Sequence, residues 1–227
     1  MSKASRRNFL MHALGAGCAV TASPIASVAI HAEQSASPGK ATPSAALFPE
    51  MKWFNEPASA KQLGEQLTVV TRAKTDFWRK TFYGYTTNNG HFFHLPVSGD
   101  FTFEAKVAGQ YKDLYDQAGL MARIDDSNWL KCGLELVDGI GHASVVVTRD
   151  YSDWSTVRGV TTKSPVWWRL VRKGASLEVL YSLDGHAYTS MRLGYMPLQN
   201  SVDVGIMSAS PEGQGLTASF EDLRLTH

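Results

Sequence analysis

The stretch YDQAGLMARIDDSNWLKCGLELVDG, Tyr115–Gly139, decides the fold class. Its apolar residues recur at every second position: Leu120, Ala122 and Ile124, then Leu130, Cys132, Leu134 and Leu136. A period of two belongs to a strand with one face against a core. Between the runs stand Asp125, Asp126, Ser127 and Asn128, a cluster of turn formers. The two runs therefore read as a hairpin. That hairpin sets Arg123 opposite Trp129 and Met121 opposite Lys131, and it brings Glu135 near Gln117. Gln117, Arg123, Trp129, Lys131 and Glu135 share the face away from the apolar residues.

The same period continues outward. DFTFEAKV (100–107) puts Phe101, Phe103, Ala105 and Val107 on one face and Thr102, Glu104 and Lys106 on the other. HASVVVT (142–148), WWRLVRK (167–173), SLEVLYS (176–182), VDVGIMS (202–208) and LTASFEDLRL (216–225) follow. Asp138-Gly139, Lys173-Gly174 and Asp184-Gly185 punctuate the runs as tight turns. Only SAKQLGEQ (59–66) reads as a turn of helix. Roughly twelve to fourteen short antiparallel strands exceed an immunoglobulin-like domain and predict an all-β, two-sheet jelly-roll sandwich. The shared parity predicts burial of Phe101, Phe103, Leu120, Ile124, Leu134 and Val146.

The chain has 227 residues, a formal net charge of +1 and 19% charged residues. No Lys/Arg block stands beyond the first residues, so nothing points to nucleic acid as a partner. Ser5-Arg6-Arg7-Asn8-Phe9-Leu10 resembles a twin-arginine export motif, with Arg6 and Arg7 as the signal pair. A weakly apolar, Ala/Gly-rich run follows, interrupted by His12 and Pro24, which suits a cleaved signal better than a stable membrane span. Residues 1–32 are expected to be a signal peptide cut after Ala29 or Ala32, and export to the periplasm or beyond follows. Cys18 in LGAGC offers a second reading as a lipidated cysteine. Residues 33–49, rich in Ser, Ala and Pro, are expected to be a flexible linker. The folded domain is expected at 50–227, long enough for one full core. Cys132 is then the one cysteine of the mature chain, and its apolar parity predicts a small core hydrophobe.

WFNEP (53–57), TDFWR (75–79), YDQAGLMAR (115–123), NWLKCGLEL (128–136), VVTRDYSDWS (147–155) and SASPEGQG (208–215) resemble the DUF1349 family. That family is assigned to the concanavalin A-like lectin/glucanase superfamily, and some relatives carry the label "regulation of enolase protein". The resemblance implies a concanavalin A-like β-sandwich and brings no activity with it.

Parity and resemblance together nominate a ligand face. Glu104, Gln117, Arg123, Trp129, Lys131 and Glu135 are expected to line one solvent-facing concavity, with Trp78, Asp153 and Trp154 at its rim. Carboxylates, cations, amides and indoles are what sugar hydroxyls and ring faces require. Balanced charge suits a glycan or another neutral polyol. The bland alternative is cross-strand ion pairing and turn capping by Asp76 and Asp153.

Glycoside hydrolysis needs two suitably spaced carboxylates. The E-x-D-x-x-E motif that the superfamily resemblance would imply is missing, which leaves Glu104 with Glu135 as a divergent pair for a hydrolase or lyase. A binding module is therefore favoured over an enzyme, with a structural or partner-binding domain as a further alternative. His91 and His94 fall on opposite faces of their strand, and no cofactor or metal motif is visible. Calcium stays open through the superfamily resemblance alone.

Overall fold

The computed structural model describes residues 41–197 and 200–227. The expected signal peptide, Arg6, Arg7, Cys18, both cleavage points and the first part of the expected linker lie outside the described residues. Among the described residues seventeen strands, numbered in chain order, build two antiparallel sheets and a small flap. The first sheet runs β15 (Thr189–Tyr195), β14 (Ser176–Ser182), β13 (Val166–Lys173), β8 (Phe101–Gly109), β17 (Thr217–Thr226), β4 (Gln66–Val70) and β3 (Ser59–Leu63). The two-residue β1 (Thr42–Pro43) also pairs with β17. The second sheet runs β12 (Tyr151–Arg158), β11 (Ile140–Arg149), β10 (Asn128–Val137), β9 (Gln117–Arg123), β16 (Ser201–Ala209), β7 (His91–Ser98) and β2 (Lys52–Phe54). The flap pairs β5 (Phe77–Arg79) with β6 (Thr86–Asn88).

The β9–β10 hairpin has the register that alternation demands: Trp129 faces Arg123, Lys131 faces Met121 and Glu135 faces Gln117. At the other end of β10 the two-residue turn Asp138-Gly139 reverses the chain into β11. Both residues have positive φ (49° and 75°), the requirement of the mirror-image turn that matches strand twist. Leu120, Leu134, Phe101 and Phe103 are buried between the sheets, and Ile124 packs partly buried against them.

Sequence and structure differ in four places. Val146 is buried, but on the opposite parity, in a second apolar cluster with Phe77, Trp78, Phe92, Met121, Trp129 and Met207. The flap lies over the outer face of the second sheet and gives that face a core of its own. SAKQLGEQ is no helix: its alternation becomes the β3–β4 hairpin, turned at Gly64. The expected linker ends too late. Residues Ser44–Leu47 form a short helix, and Leu47 and Phe48 are buried in the main core, because two large apolar side chains outweigh the small polar residues around them. The further strands missed from sequence are β12, eight residues that read as a loop, and the short β1, β2, β5 and β6, which carry too few residues to show a period.

Cys132 is buried and free, and burial pushes its thiol pKa up to about 12. At pH 8 it is a protonated thiol shielded from solvent, so it is expected to resist a thiol-disulfide reagent in the native state and to react on unfolding. Stoichiometric labelling of native protein within minutes would refute that placement.

Candidate functional site

The outer face of the second sheet carries a small polar depression. Its floor is bare because Gly119 on β9 and Gly133 on β10 stand opposite one another. A Cβ at Gly133 would lie 2.2 Å from the Ala118 carbonyl oxygen, and one at Gly119 would lie 1.9 Å from that of Cys132. Side chains are excluded there by backbone, so neighbouring polar groups meet over open floor. Gln117, Lys131, Glu135, Ser144 and Met207 line the depression. Its volume is only ≈ 10 Å³, about the space of one water molecule.

Asp76, Gln117, Lys131 and Glu135 are each only 4% exposed. Asp76 comes from the segment entering the flap. Its Oδ1 accepts from the Phe77 N–H at 2.8 Å, from Lys131 Nζ at 3.0 Å and from Gln117 Nε2 at 3.3 Å. Lys131 Nζ also donates to the Phe77 carbonyl at 2.7 Å. Glu135 Oε2 accepts from Ser144 Oγ at 2.7 Å and from Trp154 Nε1 at 3.0 Å. Charges buried this deeply persist only with such partners.

Two local features aim these groups. Tyr115, itself buried, has a left-handed φ of 67°, an uncommon and costly state for an aromatic residue. Its carbonyl accepts from Gln117 Nε2 at 3.2 Å, and its ring meets Trp154 edge to face. Asp116, fully buried, holds the preceding loop by accepting from the Lys112 and Asp113 N–H groups and from Ser210 Oγ. Beyond the flap stands an aromatic lip. Trp78 packs edge-on to Tyr83, and Tyr83 stacks on Tyr85. Phe82 is 62% exposed, and Lys80 lies 4.9 Å above the ring of Tyr151.

The structure divides the expected ligand set. Gln117, Lys131, Glu135 and Trp154 come together at the depression. They are buried under the flap rather than solvent-facing, which corrects the open concavity. Trp129 lies on the same face but is 1% exposed, packed edge-on against Phe77; it serves the second core. Trp78 is likewise buried, with its Nε1 donating to the Thr81 carbonyl. Arg123 sits at the far end of β9, over the Phe54 ring at 4.2 Å and paired with Asp126. Asp153 has the opposite parity to Trp154 and pairs with Arg192 of β15 at 3.0 Å, so it is no rim residue. Glu104 belongs to the other sheet, paired with Arg169 at 2.6 Å. A Glu104–Glu135 catalytic pair is therefore excluded by topology.

His91 is spoken for on both nitrogens. Its Nδ1 lies 2.8 Å from the Asn55 carbonyl, and its Nε2 accepts from the Arg72 N–H at 2.9 Å. Burial holds its pKa below the ordinary imidazole range. No group of three or more metal-ligating side chains occurs among the described residues. Asp76, Ser144 and Tyr115 are the site residues that sequence reading left out of its ligand set.

A family model described as "Protein of unknown function (DUF1349)" matches residues 53–227. The chain belongs to the DUF1349 family. Among relatives of this DUF1349 chain is "Regulation of enolase protein 1" of Saccharomyces cerevisiae, 40% identical over 174 residues that cover 77% of this chain and 88% of the yeast protein. A solved structure of a functionally unknown protein from Saccharomyces cerevisiae matches with a TM-score of 0.76 and 39% identity, covering 79% of this chain and 97% of that one. The carbohydrate binding module CBM66 from Bacillus subtilis shares the fold at a TM-score of 0.53 and 9% identity, over 78% of this chain and 96% of the module. The β-sandwich is thus common to DUF1349 and to that module. The family match begins at residue 53 and does not bear on Arg6 and Arg7.

Proposed function

We propose that this DUF1349 chain is a non-catalytic binding module for a neutral polyol, such as the terminal unit of a glycan, that rests over the depression on the second sheet and sends one hydroxyl into it. The observation that supports it most is the convergence of Asp76, Gln117, Lys131 and Glu135, nearly fully buried, around a glycine floor beside the indole of Trp154. Buried acceptors and donors at fixed spacing read hydroxyl groups, and an aromatic face covers the apolar side of a ring. The depression, at ≈ 10 Å³, is far below the roughly 300–1,000 Å³ of a drug-sized pocket, so it admits a single hydroxyl while the ring stays over its mouth. Export by way of Arg6 and Arg7 belongs to the same proposal, since it would bring the module to surface glycans.

Binding is favoured over hydrolysis by the surroundings of the two carboxylates. Asp76 faces an N–H, an amide and an ammonium, and Glu135 faces a hydroxyl and an indole N–H. Each is set as an acceptor, whereas glycoside hydrolysis requires one carboxyl that carries a proton to the leaving group.

Calorimetric titration of mono- and oligosaccharides into wild type and Glu135→Gln tests this. Glu135→Gln is expected to weaken the bound sugar on the order of ten-fold, with no release of reducing ends in either protein. A sugar that binds Glu135→Gln as tightly as wild type would remove this depression as the site. Turnover abolished by Glu135→Gln with binding intact would replace the module by an enzyme.

A further inference from the structure

The outer face of the first sheet, on the other side of the sandwich, carries a larger groove of ≈ 330 Å³. Strands β8, β13 and β17 form its floor, and the β14–β15 turn forms one wall. Trp167 and Tyr188 provide aromatic surface, and both are held in place. The Arg169 guanidinium stacks 3.7 Å from the Tyr188 ring centre while its Nε donates to Glu104 Oε1 at 2.6 Å. Gly185, with φ 78°, abuts Trp167 so closely that a Cβ would sit 3.0 Å from the indole. The turn itself is rigid: the His186 and Ala187 N–H groups and Ser182 Oγ bond Asp184 and hold its carboxyl pKa at about 2.

On the opposite side β17 carries a bulge between Glu221 and Arg224. Within it Asp222 has a left-handed φ of 52°, an arrangement that re-aims side chains out of a regular ladder. Asp222 and Arg224 are both exposed and line the groove. Neither makes a side-chain hydrogen bond or an ion pair among the described residues, in contrast to Glu104, Arg169, Lys106 and Glu221, which pair with one another. One carboxylate and one guanidinium are thus left facing two fixed aromatic side chains.

We infer that this groove is a second ligand site, for a neutral saccharide unit that packs against Trp167 and Tyr188 and bonds its hydroxyls to Asp222 and Arg224. Charge decides the class. Glu104 cancels Arg169, Glu221 cancels Lys106 and Asp222 balances Arg224, which leaves the one negative charge of Asp184, already held by the N–H groups of its own turn, so the groove does not suit a phosphate or a polyanion. Its volume reaches the range of ordinary ligand pockets. The inference uses no residue of the depression on the second sheet and stands apart from the reading given to it. Two sites on opposite faces would let one chain bridge two glycan strands, with the gain in avidity that linkage brings.

The test is titration of soluble cello-, xylo- and manno-oligosaccharides, followed by calorimetry and by amide chemical-shift mapping, on wild type, Trp167→Ala, Arg224→Ala and Glu135→Gln. Trp167→Ala and Arg224→Ala are each expected to weaken binding on the order of ten-fold, with shifts on β8, β13 and β17 and with Glu135→Gln unchanged at this site. Arg224 is exposed, so its variant keeps the test alive if Trp167→Ala does not fold. Absence of shifts on those strands with every sugar, or equal affinity in wild type and Arg224→Ala, overturns the inference. Loss of binding in Glu135→Gln alone would assign the sugar to the other face and overturn it equally.

Discussion

Asp76→Ala is expected to destabilise the fold by about 3–5 kcal/mol, the cost of stripping a buried charge of its partner. Lys131 is 4% exposed, and its ammonium lies 3.0 Å from Asp76 Oδ1. Without that carboxylate the cation stays in a dry site with the Phe77 carbonyl still beside it, a neutral partner for a full charge. Phe77 N–H and Gln117 Nε2 lose the same acceptor. Asp76→Ala combined with Lys131→Met is expected to recover most of the loss, because removing both members of a buried pair is far cheaper than removing one. Urea unfolding of the two single variants and the double variant gives the cycle. A single-variant cost below about 1 kcal/mol would put the pair in the class of solvent-exposed bridges and end the buried-pair account.

Gly133→Ala is expected to cost about 3 kcal/mol or more, at the upper end for overpacking. The new methyl would meet the Ala118 carbonyl oxygen at 2.2 Å and the Gly119 Cα at 2.8 Å. Both are backbone atoms of the partner strand, so no rotamer change relieves the clash, and β9 and β10 must separate. Gly64→Ala is the control: nothing lies within 4 Å of its Cβ position. Its cost should be only the about 1–2 kcal/mol of a left-handed non-glycine residue. Thermal unfolding orders the two. A Gly133→Ala protein as stable as wild type would mean that the hairpin strands are more widely spaced than described.

Much of the fold was legible because alternation is a local signal. The pairing of Trp129 with Arg123 and of Glu135 with Gln117 needed only the period of two and a polar turn between the runs. What parity does not encode is which sheet a strand joins. Glu104 has the right parity, but β8 pairs with β13 and β17, strands more than fifty residues away in sequence. Nor does parity say whether a face meets water. The flap is built from TDFWR and TTN, too short to show a period, and it turns an expected open surface into a second core. Nor does a local signal show the partner of Asp76: Lys131 is 55 residues away. Asp153 and Trp154 are neighbours in sequence and were grouped, although adjacent strand positions point to opposite faces.

The pairing of β1 with β17 places Thr42 directly across from Leu225. Cα atoms across such a ladder are about 4.5–5.5 Å apart, so the first and last described strands lie side by side. A unit with adjoining ends can be spliced into a surface loop of a host protein without stretching either partner, and its chain can be closed into a ring and reopened elsewhere. The exposed turn at Gly64-Glu65, between β3 and β4 at the edge of the first sheet, is the natural place to reopen it. Such a permuted chain would carry both candidate sites unchanged, with its new ends at Gly64 and Glu65 on the edge of the first sheet.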